Sequence, residues 1–259
     1  MAIVTFTFGP LAVTISKYVN RGEVDLLLPF LIVYPFNARD IRIWPFVFIH
    51  QVWSAAVSIF TVVGPDCLYY ACCAYIHIQF RSLQYDIERI VKPDTNESKT
   101  GKSDPFWIEF VHLVNRHREL IRCVNLIEAT YSKSTLFNFV TSSFLICLTG
   151  FNIMAITNIP LAVPFIIFLF MSLLQIYFFC YYGDMIMRSS MAVSSAVYNC
   201  QWWRVDAVMT KNMLLVLTRS QKPCKLTAYG FAEVNLRAFT RILSTAWSYF
   251  ALLKTIYRA

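Results

Sequence analysis

The chain has 259 residues, 57% of them apolar and only 15% charged, with a formal net charge of +8. A soluble domain carries about 25% charged residues, so this composition argues against a soluble globular protein. The 22 phenylalanines and only seven glycines argue against a disordered one. What is left is a polytopic membrane protein.

The first 16 residues carry no charge, and a transmembrane span is expected over residues 1–18. Residues 19–42 then form a loop that mixes Arg21, Arg39 and Arg42 with Glu23, Asp25 and Asp40. A second span is expected over 43–75, since 43–65 is again free of charge and roughly 20 apolar residues cross a bilayer. Asp66 interrupts it just after Gly64-Pro65. It is either an intramembrane acid or an aspartate at a helix kink. Ile76, Phe80, Leu83, Ile87 and Ile90 recur at helical spacing, which extends this helix beyond the membrane. Residues 92–103 read as a polar loop, and Asp104-Pro105 as a helix start. From there Phe106, Phe110, Val114, Leu120, Val124 and Ile127 mark an amphipathic helix. Residues 76–133 therefore form helices outside the membrane, packed together or lying on its surface.

No charged residue occurs between Lys133 and Asp184, which gives room for two spans, 134–156 and 161–183, turning at Asn158-Ile159-Pro160. Residues 184–227 leave the membrane as a continuing helix. Asp206 is placed to cap a short helix carrying Val208, Met213, Leu214 and Leu217, which Gln221-Lys222-Pro223 breaks. A last span, 228–257, is marginal by hydropathy because Glu233, Arg237 and Arg241 fall in it. Their spacing by four places them on one helix face, either bordering a vestibule or forming a surface ion-pair ladder. Basic residues concentrate in 81–133 and 184–225. The positive-inside rule makes those two segments cytoplasmic and the C-terminus external. The single sequon, Asn96-Glu97-Ser98, then falls inside the cell. Nucleic acid is a poor partner for charge divided among separate loops.

Enzymatic chemistry is not expected. No P-loop, HExxH, GxSxG or dinucleotide fingerprint occurs, and no cofactor or metal is implied. His112 and His117 stand five apart, off the same-face spacing of a helical metal pair, and read as surface histidines.

Several motifs in order then resemble the insect odorant receptors. Gly183 ends a span, followed by Ser189-Ser190, Ala196-x-Tyr198 and Trp202-Trp203; next come Arg219-x-Gln221-Lys222-Pro223, Thr227-Ala228, and FTRILSTAWSYFALL over 239–253. Tyr34-Pro35-Phe36-Asn37 is similar to that family's Tyr-Pro-Phe-Asp in the second external loop. The related gustatory receptors end in Thr-Tyr followed by Gln-Phe, where this chain has Ser248-Tyr249-Phe250. The motifs of G-protein-coupled receptors, Asp-Arg-Tyr and Asn-Pro-x-x-Tyr, do not occur.

The resemblance implies an all-α helical bundle with long cytoplasmic helix extensions, in which the five spans here are the third to seventh of seven. It implies an odorant-gated, non-selective cation channel assembled as a heterotetramer with the odorant co-receptor, in the plasma membrane of olfactory neuron dendrites. The ligand would be a small volatile apolar molecule, with candidate contacts Phe8, Leu11 and Ile15; Phe48, Val52, Ala55 and Ile59; and Phe165, Phe168 and Ser172. These can equally be helix-packing residues. Leu252 and Ile256 would form the pore gate, or face lipid. Tyr198, filling a helix junction, and Trp202 and Trp203, marking the turn toward the last span, would belong to the cytoplasmic anchor that joins subunits, a membrane-interface belt being the other reading. The alternatives are a truncated, non-responsive receptor acting only as an assembly partner, and a gustatory receptor relative.

Overall fold

The computed structural model describes residues 11, 12, 14, 19, 26–30, 32–37, 40–91, 105–156 and 159–258. It divides into two units, Met1–Leu68 and Tyr69–Ala259. Three long helices dominate: α1 (Trp44–Arg89, 46 residues), α2 (Pro105–Ala155, 51 residues) and α3 (Ile159–Asn199, 41 residues). A 3-10 turn (Trp202–Arg204), α4 (Ala207–Ser220), a hairpin of β1 (Thr227–Ala228) and β2 (Ala232–Glu233), and α5 (Leu236–Arg258) complete the chain.

Each long helix is about twice the length a bilayer requires, and its two halves differ in what they bury. The windows apolar enough to cross a membrane bury only 11%, 17% and 22% of their residues. That apolar surface is left uncovered by the described residues and suits lipid. The other half of each helix is packed. Phe80, Leu83 and Ile87 of α1 and Ile90 just past its end join Phe110, Leu113, Leu120 and Val124 of α2, Ile186, Val193 and Val197 of α3, and Met209 and Met213 of α4 in one buried cluster. Burying each such side chain contributes about 1.5–3 kcal/mol, so the extensions form a bundle and do not lie separately on a surface.

Polar contacts fix the register of this bundle. Gln84 donates from Nε2 to the Ser189 carbonyl at 2.8 Å, and both residues are buried. Arg116 bridges from α2 to Asp86 and Gln79 of α1, both at 2.8 Å. A third contact joins distant segments, where Ser190 Oγ accepts from the Cys224 amide at 3.0 Å.

Asp206 caps α4 as its spacing predicts, accepting from the Met209 amide at 3.1 Å, and α4 stops at Ser220, before Pro223. Pro105 is the first residue of α2; Asp104, Asn158 and the sequon at Asn96 lie outside the described residues.

Three expectations are corrected. The last helix begins at Leu236, not at 228, because Tyr229 (φ 51°) and Gly230 (φ 76°) turn the chain into the β1–β2 hairpin. Asn235 then caps α5, accepting from the Ala238 amide at 2.9 Å. Glu233 consequently sits in a strand, not on the helix face of Arg237 and Arg241, and its ion pair is with Lys225. Finally, His117 is no surface residue. It is 5% exposed, edge-on to Phe80, and burial pushes its imidazole below the ordinary range, helped by the charge of Arg219.

Candidate functional site

Unit Met1–Leu68 holds one row of candidate ligand contacts. Phe48, Val52, Ala55 and Ile59 follow one another at intervals of four, three and four on α1, and all four are half-buried. Beside them Gln51 is fully buried and held by both ends of its amide. Its Oε1 accepts from the Phe30 amide at 3.0 Å, while Nε2 donates to the Phe30 carbonyl at 3.1 Å and to Tyr34 Oη at 3.3 Å. The segment with Tyr34-Pro35-Phe36-Asn37 is thereby tied to the start of α1, and Trp44 adds a bond from Nε1 to the Leu27 carbonyl at 3.2 Å. Leu11 is half-buried. Phe8 and Ile15 lie outside the described residues.

On α3, Phe165 and Ser172 are half-buried and Phe168 is exposed. The Ser172 hydroxyl is turned back to the Phe168 carbonyl at 2.9 Å. The neighbouring face of the same helix lines an apolar crevice of about 630 Å³ that sequence reasoning missed. Leu169 and Leu173 form one wall, Ile146, Gly150 and Ile153 of α2 a second, and Leu243, Trp247 and Phe250 of α5 a third. Gly150 keeps the Phe250 ring close, at 3.5 Å from where a β-carbon would stand.

An aromatic cluster below it was also missed. Tyr69 is buried, stacks on Phe179 at 4.7 Å and meets Tyr131 edge-on at 5.2 Å. Tyr70 stacks on Tyr182 at 5.2 Å. From the same helix as Phe179 and Tyr182, Tyr177 meets Phe239 of α5 at 5.6 Å. Rings from four helices thus touch in sequence. The doublets Tyr69-Tyr70 and Tyr181-Tyr182 were the available signal, because adjacent aromatics on a helix reach two different neighbours.

Helix α5 is divided lengthwise. Ala238, Phe239, Ile242, Ala246 and Phe250 are buried or half-buried, whereas Arg237, Arg241, Ser244, Ser248, Leu252 and Thr255 are exposed. Those six recur at intervals of four, three, four, four and three, so they form one stripe. Ser248 and Thr255 donate their hydroxyls to backbone carbonyls one turn back, each at 2.9 Å. Leu252, 57% exposed, is the apolar position in an otherwise polar row. The side chain of Ile256 lies outside the described residues.

The hairpin sets where α5 starts. A β-carbon on Gly183 would stand 2.3 Å from the Val234 carbonyl oxygen, so only glycine admits the strand end this close to α3. Thr227 donates to Glu128 of α2 at 2.6 Å, and the Val234 amide to the Leu226 carbonyl at 2.8 Å. At the far end of α3 and in the turn after it the three aromatics expected in the anchor all face outward: Tyr198 is 66% exposed, Trp202 39% and Trp203 64%. Tyr198 does not fill a helix junction; its neighbours Ala196 and Val197 do, being buried. Together with Met213, Leu214 and Leu217 of α4, Tyr198 and Trp202 line a shallow apolar groove.

Comparison with known proteins agrees with this architecture. A family model described as 7tm Odorant receptor matches residues 1–247. Among curated relatives from Drosophila melanogaster, Odorant receptor 22c is 30% identical over 254 residues, covering 96% of this chain and 63% of the relative. Odorant receptor 85b is 28% identical, covering 93% and 60%, and Odorant receptor 67c is 28% identical, covering 98% and 62%. The chain therefore spans about three fifths of the length of the relatives it matches. The solved insect olfactory receptor OR5 from Machilis hrabei, in complex with eugenol, superposes with a TM-score of 0.79 at 19% identity, covering 98% of this chain and 62% of that one. With its membrane-length helices and a family match along nearly its whole length, the chain is a multi-pass membrane protein and belongs to the 7tm odorant receptor family.

Proposed function

We propose that the chain is a ligand-tuning subunit that binds small volatile apolar molecules and, with an odorant co-receptor, forms an odorant-gated, non-selective cation channel. The observation that carries this reading is the exposed stripe on α5. A helix facing lipid has no use for Arg237 and Arg241 in one row with Ser244, Ser248 and Thr255, since charged groups without an acidic partner are costly in hydrocarbon. A water-filled path accommodates them, and an apolar Leu252 in the same row can close it by dewetting.

The remaining assignments follow the family frame. Residues 1–18, 43–75, 134–156, 161–183 and the last helix are the third to seventh spans, 19–42 is an external loop, and 76–133 and 184–227 are the cytoplasmic anchor. The C-terminus is external, and the protein resides in the dendritic membrane of olfactory neurons. Odorant contacts are drawn from Phe8, Leu11 and Ile15, from the half-buried row Phe48, Val52, Ala55 and Ile59, and from Phe165, Phe168 and Ser172. That OR5 was solved with eugenol supports an apolar ligand of that size. Tyr198, Trp202 and Trp203, exposed on the anchor, meet a neighbouring subunit.

The test is co-expression with the co-receptor and recording of inward current during exposure to a panel of volatile esters, ketones and phenols. Ligand-evoked cation current that requires both chains is the expected result. Current from this chain alone would contradict the tuning-subunit role, and a chain that co-assembles but never alters ligand response would favour the passive partner.

A further inference from the structure

The geometry points to Arg237 and Arg241 as the residues that set the balance between monovalent and divalent cations at the inner mouth of the pore. This rests on the pore-lining reading of α5. Both arginines are exposed and continue the stripe of Ser244, Ser248 and Leu252 one and two turns toward the hairpin. They border a cleft of about 460 Å³ with Glu233, Asn235 and Thr245, into which Ser143 of α2 also opens. The lining mixes these polar groups with Phe139, Phe231 and Ile242, and both arginines are exposed, so their guanidinium groups stay hydrated.

Their charge is not cancelled locally. Glu233, the acid nearest in sequence, is engaged by Lys225 and by Asn235. Glu128 accepts from Thr227, and Asp184 pairs with Arg188. Among the described residues no carboxylate comes within ion-pair distance of Arg237 or Arg241. Lys133, near the Tyr229 ring, adds positive charge beside the same hairpin. The mouth that this subunit presents is therefore net positive.

Fixed positive charge beside a cation path repels in proportion to the charge that passes, so a divalent ion meets twice the barrier of a monovalent one. Screening confines the effect to about 8 Å at physiological ionic strength. Leu252 stands about 16 Å further along the helix from Arg241 at 1.5 Å per residue, beyond that range. The arginines thus act on which ion passes and leave closure at Leu252 untouched.

The experiment uses the chain co-assembled with its co-receptor and measures reversal potentials in calcium and in sodium solutions. Arg237→Gln with Arg241→Gln is expected to raise the calcium-to-sodium permeability ratio about two- to fivefold, the range for a few screened charges at the mouth. The paired lysine substitutions should leave it near the original value, as should Arg118→Gln, an exposed cation on α2 far from the stripe. An unchanged ratio in the glutamine variant, or an equal rise in Arg118→Gln, overturns the inference while leaving the channel reading intact. Should the glutamine variant fail to reach the surface, Arg241→Cys modified from the cytoplasmic side decides: an anionic thiol reagent must raise the ratio and a cationic one lower it, and equal responses refute the assignment. Absence of current from the unsubstituted chain overturns the channel reading and this inference together.

Discussion

At Gly183 the neighbouring atom is backbone: the Val234 carbonyl oxygen would stand 2.3 Å from an added β-carbon. A flexible side chain could swing aside, but a strand end held by the Leu226 carbonyl cannot. Gly183→Ala is therefore expected to cost about 3 kcal/mol, the upper part of the overpacking range, read as a lowered midpoint in thermal size-exclusion assays. Gly64, on α1 with nothing within 4 Å, is the contrast. Gly64→Ala should stabilise by about 0.5–1 kcal/mol through lost backbone freedom in the unfolded chain, and equal damage at both glycines would defeat the steric account. His117 makes a second residue-level prediction. Burial lowers its folded-state pKa from the ordinary 6.5, so below pH 6.5 the unfolded chain takes up a proton that the folded one resists. Stability then falls as pH drops from 6.5 toward the lowered value. His117→Leu should flatten this acid limb, measured as the difference in thermal midpoint between pH 7.5 and 5.5; an unchanged difference would show that His117 does not contribute.

The short elements carry the assembly argument. Helix α4 spends one face on the core through Met209 and Met213 and leaves Leu214 to the groove with Tyr198 and Trp202. Trp202→Ala removes an exposed aromatic and no core packing. Co-purification with the co-receptor should drop about tenfold or more, as for an interface hot spot, with the thermal midpoint unchanged. Retained co-assembly would rule out the anchor role. These elements were unequally legible. Asp206 announced α4 because a capping carboxylate works within one turn of chain. The hairpin gave no such notice: its strands are two residues long, Tyr229 holds a left-handed conformation that its side chain does not favour, and contacts to Glu128 and Gly183 made from afar decide its shape. Tyr198 was misread for a related reason. Its buried neighbours Val197 and Ala196 stand about 100° and 200° away around the helix, and composition does not say where a face ends.

At the scale of the molecule, the long helices and their packed extensions could be read from charge-free runs followed by helical periodicity. Span lengths are set by the bilayer, and periodicity reports burial directly. The crevice of Ile146, Leu169 and Trp247 and the rings around Tyr69 could not, since both depend on how helices are rotated against one another. The last helix looked marginal by hydropathy for a reason the structure makes plain: one side packs through Phe239, Ile242 and Ala246 while the other carries the polar stripe. In the proposed channel Leu252 is the narrow point of that stripe. Leu252→Ser is expected to raise unstimulated current several-fold when co-expressed with the co-receptor, because a hydroxyl holds water where leucine expels it. Unchanged resting current would place the constriction elsewhere.

The hairpin has a mechanical consequence. Gly183, Glu128 and Ser190 hold the segment from Cys224 to Val234 against two other helices, which makes the root of α5 a fulcrum and the rest of the helix a lever arm. Leu252 lies about 25 Å along that arm from Asn235 at 1.5 Å per residue. A pivot of only about 5° there would carry Leu252 sideways by about 2 Å at that arm length, comparable to the diameter of a dehydrated sodium ion, while the packed bundle beneath stays still.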